Sequence, residues 1–178
     1  MVITLSVLNG IRHGIRCIFC SEDDHLISLR RDGLIIFLDI DGVLHPLFPR
    51  KDRPAKESAP FAYLPRLSSV LRDYPHTYVV ISSTWRVNRT LDELKSLFPS
   101  DLQDRIIDST PILEDSLQPG GREAEASSWL DSHPEHTNWV AIDDCAVCWF
   151  SLSKLILCDD GFRQEEEIDL RAAIKSEK

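Results

Sequence analysis

Leu34-Ile35-Ile36-Phe37-Leu38-Asp39-Ile40-Asp41-Gly42 is the stretch that decides the fold. Five apolar residues in an unbroken run read as a strand buried on both faces, because a half-exposed strand alternates apolar with polar. The run ends in two acids one residue apart, followed by a glycine. Residues i and i+2 of a strand point to the same side, so Asp39 and Asp41 emerge together at its C-terminal edge. Two carboxylates held so close repel unless a cation or a proton lies between them. The spacing therefore asks for a metal, a shared proton, or both. Asp-Gly is also a common turn pair, so the rest of the chain has to decide.

Four more apolar runs read as strands, at 78–81, 105–107, 139–142 and 154–157. Helical or irregular sequence separates them, and this alternation predicts an α/β fold: a three-layer, Rossmann-like domain with a five-stranded parallel sheet. Leu64, Leu67, Val70 and Leu71 recur at helical spacing, with Pro65 suited to a first turn. Thr90-Leu91-Asp92-Glu93 has the form of a capping box, and Leu94, Leu97 and Phe98 continue an apolar face until Pro99. A third helix begins near Arg122 and buries Ala126, Trp129 and Leu130, and a last one carries Glu165 to Glu167 in its first turn. The segment 42–63 contains Pro46, Pro49, Pro54 and Pro60, so it is not regular helix. Connections of that length in compact domains are usually lids, binding loops or disordered.

Two other strands end in polar residues at the same predicted edge. The second runs into Ser82-Ser83-Thr84, hydroxyls and amides able to hold a phosphoryl oxygen without added charge and equally suited to cap a helix. The fourth ends in Asp143-Asp144. A parallel arrangement delivers those carboxylates beside Asp39, where hard oxygen ligands suit Mg²⁺. In open α/β sheets this edge is where ligands bind.

These residues resemble the haloacid dehalogenase superfamily of phosphohydrolases. Its first motif, an apolar strand followed by Asp-x-Asp-Gly, stands as Leu38-Asp39-Ile40-Asp41-Gly42-Val43-Leu44. Val79-Val80-Ile81-Ser82 is similar to its second motif, and Val140-Ala141-Ile142-Asp143-Asp144 to its fourth. For the third motif, a basic residue, Arg122 is the best positional match and Lys95 the runner-up. Ser83-Thr84-Trp85-Arg86, Arg122-Glu123-Ala124-Glu125 and 139–144 are similar to the small branch found as a module in RNA repair proteins. The resemblance implies that Asp39 attacks phosphorus, forming an aspartyl-phosphate, and that Asp41 protonates the leaving oxygen and later activates water. It implies Mg²⁺ held by Asp39, the backbone carbonyl of Asp41, and Asp143 or Asp144, with Ser82, Ser83 and Arg122 on the phosphoryl group. The family's cap domains have no room here, so the expected domain, residues 33–178, has no large cap and an open site.

An open site suits a phosphate displayed on a large molecule, such as an RNA or DNA end. Arg50-Lys51-Asp52-Arg53-Pro54-Ala55-Lys56 is a basic stretch in a chain of net charge -9, and Arg50, Lys51 and Arg53 are candidate substrate contacts, since phosphate contacts typically use Lys and Arg. Trp85 and Arg86, with Arg89, follow the second motif closely enough to stack on or pair with substrate, and His45 follows the first. The overall acidity argues against wholesale attraction to nucleic acid or an anionic membrane. Two other functions stay open: a catalytically silent module using loop 50–56 for nucleic acid, and a phosphoprotein phosphatase.

The chain has 178 residues, 43% of them hydrophobic and 28% charged, as expected of one globular domain. No apolar run is long enough to span a bilayer, and the reading is a cytoplasmic protein. Residues 1–32 form an N-terminal extension or a hairpin of 1–8 with 15–19. Five cysteines favour reduced thiols, although Cys17/Cys20 and Cys145/Cys148 have zinc-ligand spacing.

Overall fold

The computed structural model describes residues 33–48, 50–114 and 116–176. The expected 1–32 hairpin and the Cys17/Cys20 pair lie outside the described residues. Five parallel strands form one sheet: β1 (Leu34–Leu38), β2 (Thr77–Ile81), β3 (Ile106–Ser109), β4 (Trp139–Asp143) and β5 (Leu155–Leu157), in the spatial order β3-β2-β1-β4-β5. The central β1 pairs with β2 through Ile36 opposite Val79 and with β4 through Ile36 opposite Val140. All five β1 residues are buried, which is why the run carries no polar alternation.

The pleat of β1 divides its side chains between two cores. Leu34, Ile36 and Leu38 pack with Leu67 and Leu71 of α1 (Leu64–Asp73) and with Leu170 and Ile174, while Ile35 and Phe37 pack with Ala126 and Trp129. Leu170 and Ile174 belong to the last helix of the chain, and Ala126 and Trp129 to α3 (Gly121–Ser132). Helices thus cover both faces of the sheet, the three-layer α/β Rossmann-like arrangement that the strand pattern predicts.

Two elements differ from expectation in extent. The helix after β2, α2 (Leu91–Lys95), keeps its Thr90–Glu93 capping box but stops before Leu97 and Phe98. There the amides of Leu97 and Phe98 bond to carbonyls three residues back, and the Ser96 hydroxyl donates to the Glu93 carbonyl at 2.6 Å. That local bonding tightens the turn and ends the helix. β3 runs on to Ser109, with a register shift against β2 between Val79 and Val80. The final helix, α4 (Gln164–Ser176), carries Glu165, Glu166 and Glu167 in its first turn and Lys175 in its last, complementing the helix dipole.

No large cap is present among the described residues. There, segment 42–63 holds turns and one three-residue 3-10 helix, Ala55–Glu57. Tyr63 N donates to the Leu44 carbonyl at 2.9 Å, closing the two ends of this segment on each other, and Phe162 N donates to the Val43 carbonyl at 2.7 Å, tying its start to the body.

Candidate active site

β1 has β2 and β3 on one side and β4 and β5 on the other, so the chain's winding direction reverses between β1 and β4. Ligands of open α/β sheets bind at the carboxyl ends of the strands beside such a reversal. Asp39 follows β1 directly and Asp143 closes β4, with the Asp39 amide donating to the Ile142 carbonyl at 3.0 Å. One carboxylate oxygen each of Asp39, Asp143 and Asp144 lie within 4.8 Å of one another.

Burial makes this cluster electrostatically costly. Asp39 and Asp143 are 6% and 1% exposed, and burial pushes Asp39 above the usual carboxylate range although Arg122, the Ser83 hydroxyl and the Ile40 amide pull it down. Asp143 is pushed up to about 7, by burial first and by the charge of Asp39 second. Asp144 rises for the same two reasons. Three acids that resist ionising next to one another are a donor set that a hard divalent cation would neutralise. Gly42 belongs to the same construction: at φ +73, a Cβ there would come within 2.1 Å of Asp144 Oδ2. Only glycine lets the turn after β1 sit so close to Asp144.

Arg122 lies in the first turn of α3, 3% exposed, with Nη2 4.0 Å from Asp39 Oδ1. Its Nε and Nη1 are buried without a hydrogen-bond partner, as is Ser82 Oγ. Buried donors are normally paired, so these groups beside a carboxylate cluster are matched to an anion with several acceptor oxygens. Lys95, the other basic candidate, sits in the last turn of α2. Ser83 caps the 3-10 helix Thr84–Val87 through the Trp85 amide and also bonds Asp39. The two readings of that serine run, cap and anion contact, are compatible.

The chain belongs to a family of HAD domains. Residues 35–166, well over half its length, match the family described as the HAD domain in Swiss Army Knife RNA repair proteins. No curated protein and no solved structure matches the chain.

The Asp41 carboxylate of this HAD domain stands apart from the three-acid cluster: Oδ1 pairs with His45 Nε2 at 2.8 Å, and Oδ2 accepts from Trp85 Nε1 at 2.8 Å. This leaves the backbone carbonyl as the part of Asp41 available for the metal role that the resemblance implies. Trp85, expected to stack on substrate, spends its N–H on Asp41, and the Arg89 guanidinium lies over its ring at 4.0 Å.

Arg86, expected to contact substrate, is buried. It bonds the carbonyls of Ser82 and Ser83 at 2.7 Å, those of Thr110 at 3.0 Å and Pro111 at 3.2 Å, and the Glu125 carboxylate. With its donors used internally it ties the serine turn to α3 and has none left for a ligand. Arg53, also expected to contact substrate, is turned inward: its side chain is 2% exposed and its two terminal nitrogens are paired with Asp160 and the Phe48 carbonyl. Arg50 forks onto Asp52 and lies 3.6 Å from Asp160, so acids offset much of the loop's positive charge. Lys51 is exposed.

Cys145 and Cys148 are joined in a disulfide across a 3-10 turn that sets their Cα atoms 5.5 Å apart, within disulfide reach. They are neither free thiols nor half of a zinc site. Cys145 N and Trp149 Nε1 donate to the two oxygens of Asp143 at 2.8 and 3.1 Å. Trp149 and Asp160 are partners that sequence reasoning missed, with no local pattern to mark them, and Glu125 stood in a recognised stretch without its pairing to Arg86 being legible there.

Proposed function

We propose that this HAD domain is a Mg²⁺-dependent phosphatase that hydrolyses a phosphate monoester through an aspartyl-phosphate on Asp39, with a nucleic-acid end as the substrate. The observation that carries the reading is the meeting of three buried or half-buried carboxylates with a buried, under-paired guanidinium at one strand edge. Acids alone suit a cation and a lone arginine suits an anion. Both together suit a phosphoryl group beside a metal.

Asp39, Asp143 and Asp144 would hold the cation, with the backbone carbonyl of Asp41. When bound, it neutralises their charge and that of the transferring group. Arg122 and Ser82 direct their spare donors at the phosphoryl oxygens, and the N-terminal turn of α3 adds its positive dipole end. Asp39 forms a bond to phosphorus while the bond to the leaving oxygen breaks, and Asp41 gives that oxygen its proton. Water then attacks the same phosphorus and releases Asp39, and Asp41 takes the proton back.

A substrate larger than a metabolite is favoured by the missing cap and by the RNA repair proteins in the family's description. Phe150 is 73% exposed, and its ring lies against Gly120, two residues before Arg122. An exposed aromatic ring at the start of α3 offers a terminal base a stacking surface. The test compares RNA carrying a terminal phosphate, a sugar phosphate and a phosphopeptide, each with and without Mg²⁺, for wild type and Asp39→Asn. Metal-dependent release that is fastest from RNA and absent in the variant is the expected result. Equal turnover by the variant refutes the mechanism, and preference for the peptide refutes the substrate.

A further inference from the structure

Asp41 differs from the other acids of the site in being bracketed. Its two carboxylate oxygens are engaged by different partners, His45 Nε2 on Oδ1 and Trp85 Nε1 on Oδ2, each at 2.8 Å. The partners come from different segments, His45 from the turn after β1 and Trp85 from the 3-10 helix after β2. Neither is left to move independently. The ring of Phe61 meets both edge-on, with centroids 5.1 Å from His45 and 5.7 Å from Trp85, and the two rings are 5.9 Å from each other. Arg89 lies over the Trp85 ring at 4.0 Å.

Phe61 also has a backbone φ of 56, and it is the single non-glycine residue with positive φ among the described residues. Bulky side chains rarely adopt that region, and such residues persist where the surrounding structure over-determines them. Here the unusual turn directs the ring from the proline-rich segment onto the pair that grips Asp41. A carboxylate fixed by one hydrogen bond still rotates about its terminal torsion. One engaged at both oxygens from two separate segments, by the Trp85 indole N–H and by the His45 ring nitrogen, does not.

Resting on the phosphatase reading, we propose that His45, Trp85 and Phe61 are positioning residues that set the orientation of the Asp41 carboxylate, and with it the transfer of a proton to the leaving oxygen. Their effect then depends on how much the leaving oxygen needs a proton. A p-nitrophenolate leaves with little help, whereas an alkoxide such as a ribose hydroxyl needs nearly a full proton transfer.

The experiment measures kcat/KM on p-nitrophenyl phosphate and on an alkyl phosphate for wild type, Trp85→Phe, His45→Leu and His45→Gln, with Asp41→Asn as the reference. That parameter reports the steps up to formation of the aspartyl-phosphate, so later hydrolysis does not enter it. Misplacing a catalytic group by about 1 Å costs on the order of 10²-fold. Trp85→Phe and His45→Leu are expected to lose roughly tenfold or more on the alkyl ester beyond any loss on the aryl ester, in the pattern of Asp41→Asn. His45→Gln, which keeps a hydrogen-bonding amide near the position of Nε2, is expected to recover part of the difference. Independently of turnover, the indole N–H resonance absent from Trp85→Phe is expected to move in Asp41→Asn. Equal losses on both esters, or an unmoved resonance, overturn the positioning role while an active wild type leaves the phosphatase reading intact. A wild type that releases phosphate from neither ester nor from RNA carrying a terminal phosphate, with or without Mg²⁺, overturns the phosphatase reading and this inference with it.

Discussion

Replacing Asp143 by Asn isolates the electrostatic cost on which the site depends. Burial and the neighbouring Asp39 raise the Asp143 carboxyl from 3.8 to about 7, and each pH unit of such a rise is worth about 1.4 kcal/mol. A carboxyl raised on folding stabilises the native state fully below its unfolded value, and that contribution is lost as pH climbs through the folded value. In metal-free protein, the loss between about pH 5 and about pH 8 is therefore about 3 kcal/mol for Asp143. Asn carries no proton to lose. It also accepts only one of the two N–H groups, from Cys145 and Trp149, at a cost of about 1–3 kcal/mol. That cost does not vary with pH, so it shifts the stability curve without tilting it. Removing the charge also relieves Asp39, which tilts the comparison further the same way. Urea unfolding in EDTA across this pH range is expected to give a steep fall for wild type and a flatter line for Asp143→Asn. Added Mg²⁺ should restore wild type most at high pH, where its ligands are ionised. Parallel curves for the two proteins would refute the argument.

Other perturbations separate architecture from chemistry. Gly42→Ala places a Cβ within 2.1 Å of Asp144 Oδ2 and so displaces that carboxylate, and Mg²⁺ titration by thermal shift should show weakened binding with the fold retained. Glu125→Ala leaves the buried Arg86 charge uncompensated, and chemical denaturation should show a loss of about 3–5 kcal/mol. Arg50→Ala, at an exposed residue already paired with Asp52, should leave the urea midpoint essentially unchanged, because solvent screens such a pair.

Strand-end residues were legible because the sheet itself places them. An unbroken apolar run followed by Asp39, Ser82 or Asp143 has one geometric meaning once the strands are parallel, and burial in two cores is written into the run. Arginines were not legible in the same way. Whether Arg86 turns in or out is decided by Glu125 on α3, and Arg53 is drawn inward by Asp160, which lies 107 residues later in the chain. A long flexible side chain takes whichever buried acid the tertiary fold brings up, and local sequence does not encode that choice. Trp85 illustrates a subtler gap. Its nearness to the site follows from its place after β2, but its role as a donor to Asp41 depends on the turn that carries His45 and on the unusual backbone at Phe61. The helix cap at Thr90 was readable and its early end was not, because the local bonds of Ser96, Leu97 and Phe98 that tighten the turn leave no mark in the apolar spacing.

In the proposed mechanism Asp39 itself takes the phosphoryl group, and acid-quenching the enzyme during turnover of a radiolabelled phosphate ester, then mapping the labelled peptide, shows whether it does. Label is expected on the peptide containing Asp39, sensitive to hydroxylamine as an acyl phosphate is, and absent from Asp39→Asn. Steady release of phosphate by an enzyme that never carries label on Asp39, with Asp39→Asn still turning over, would contradict the account.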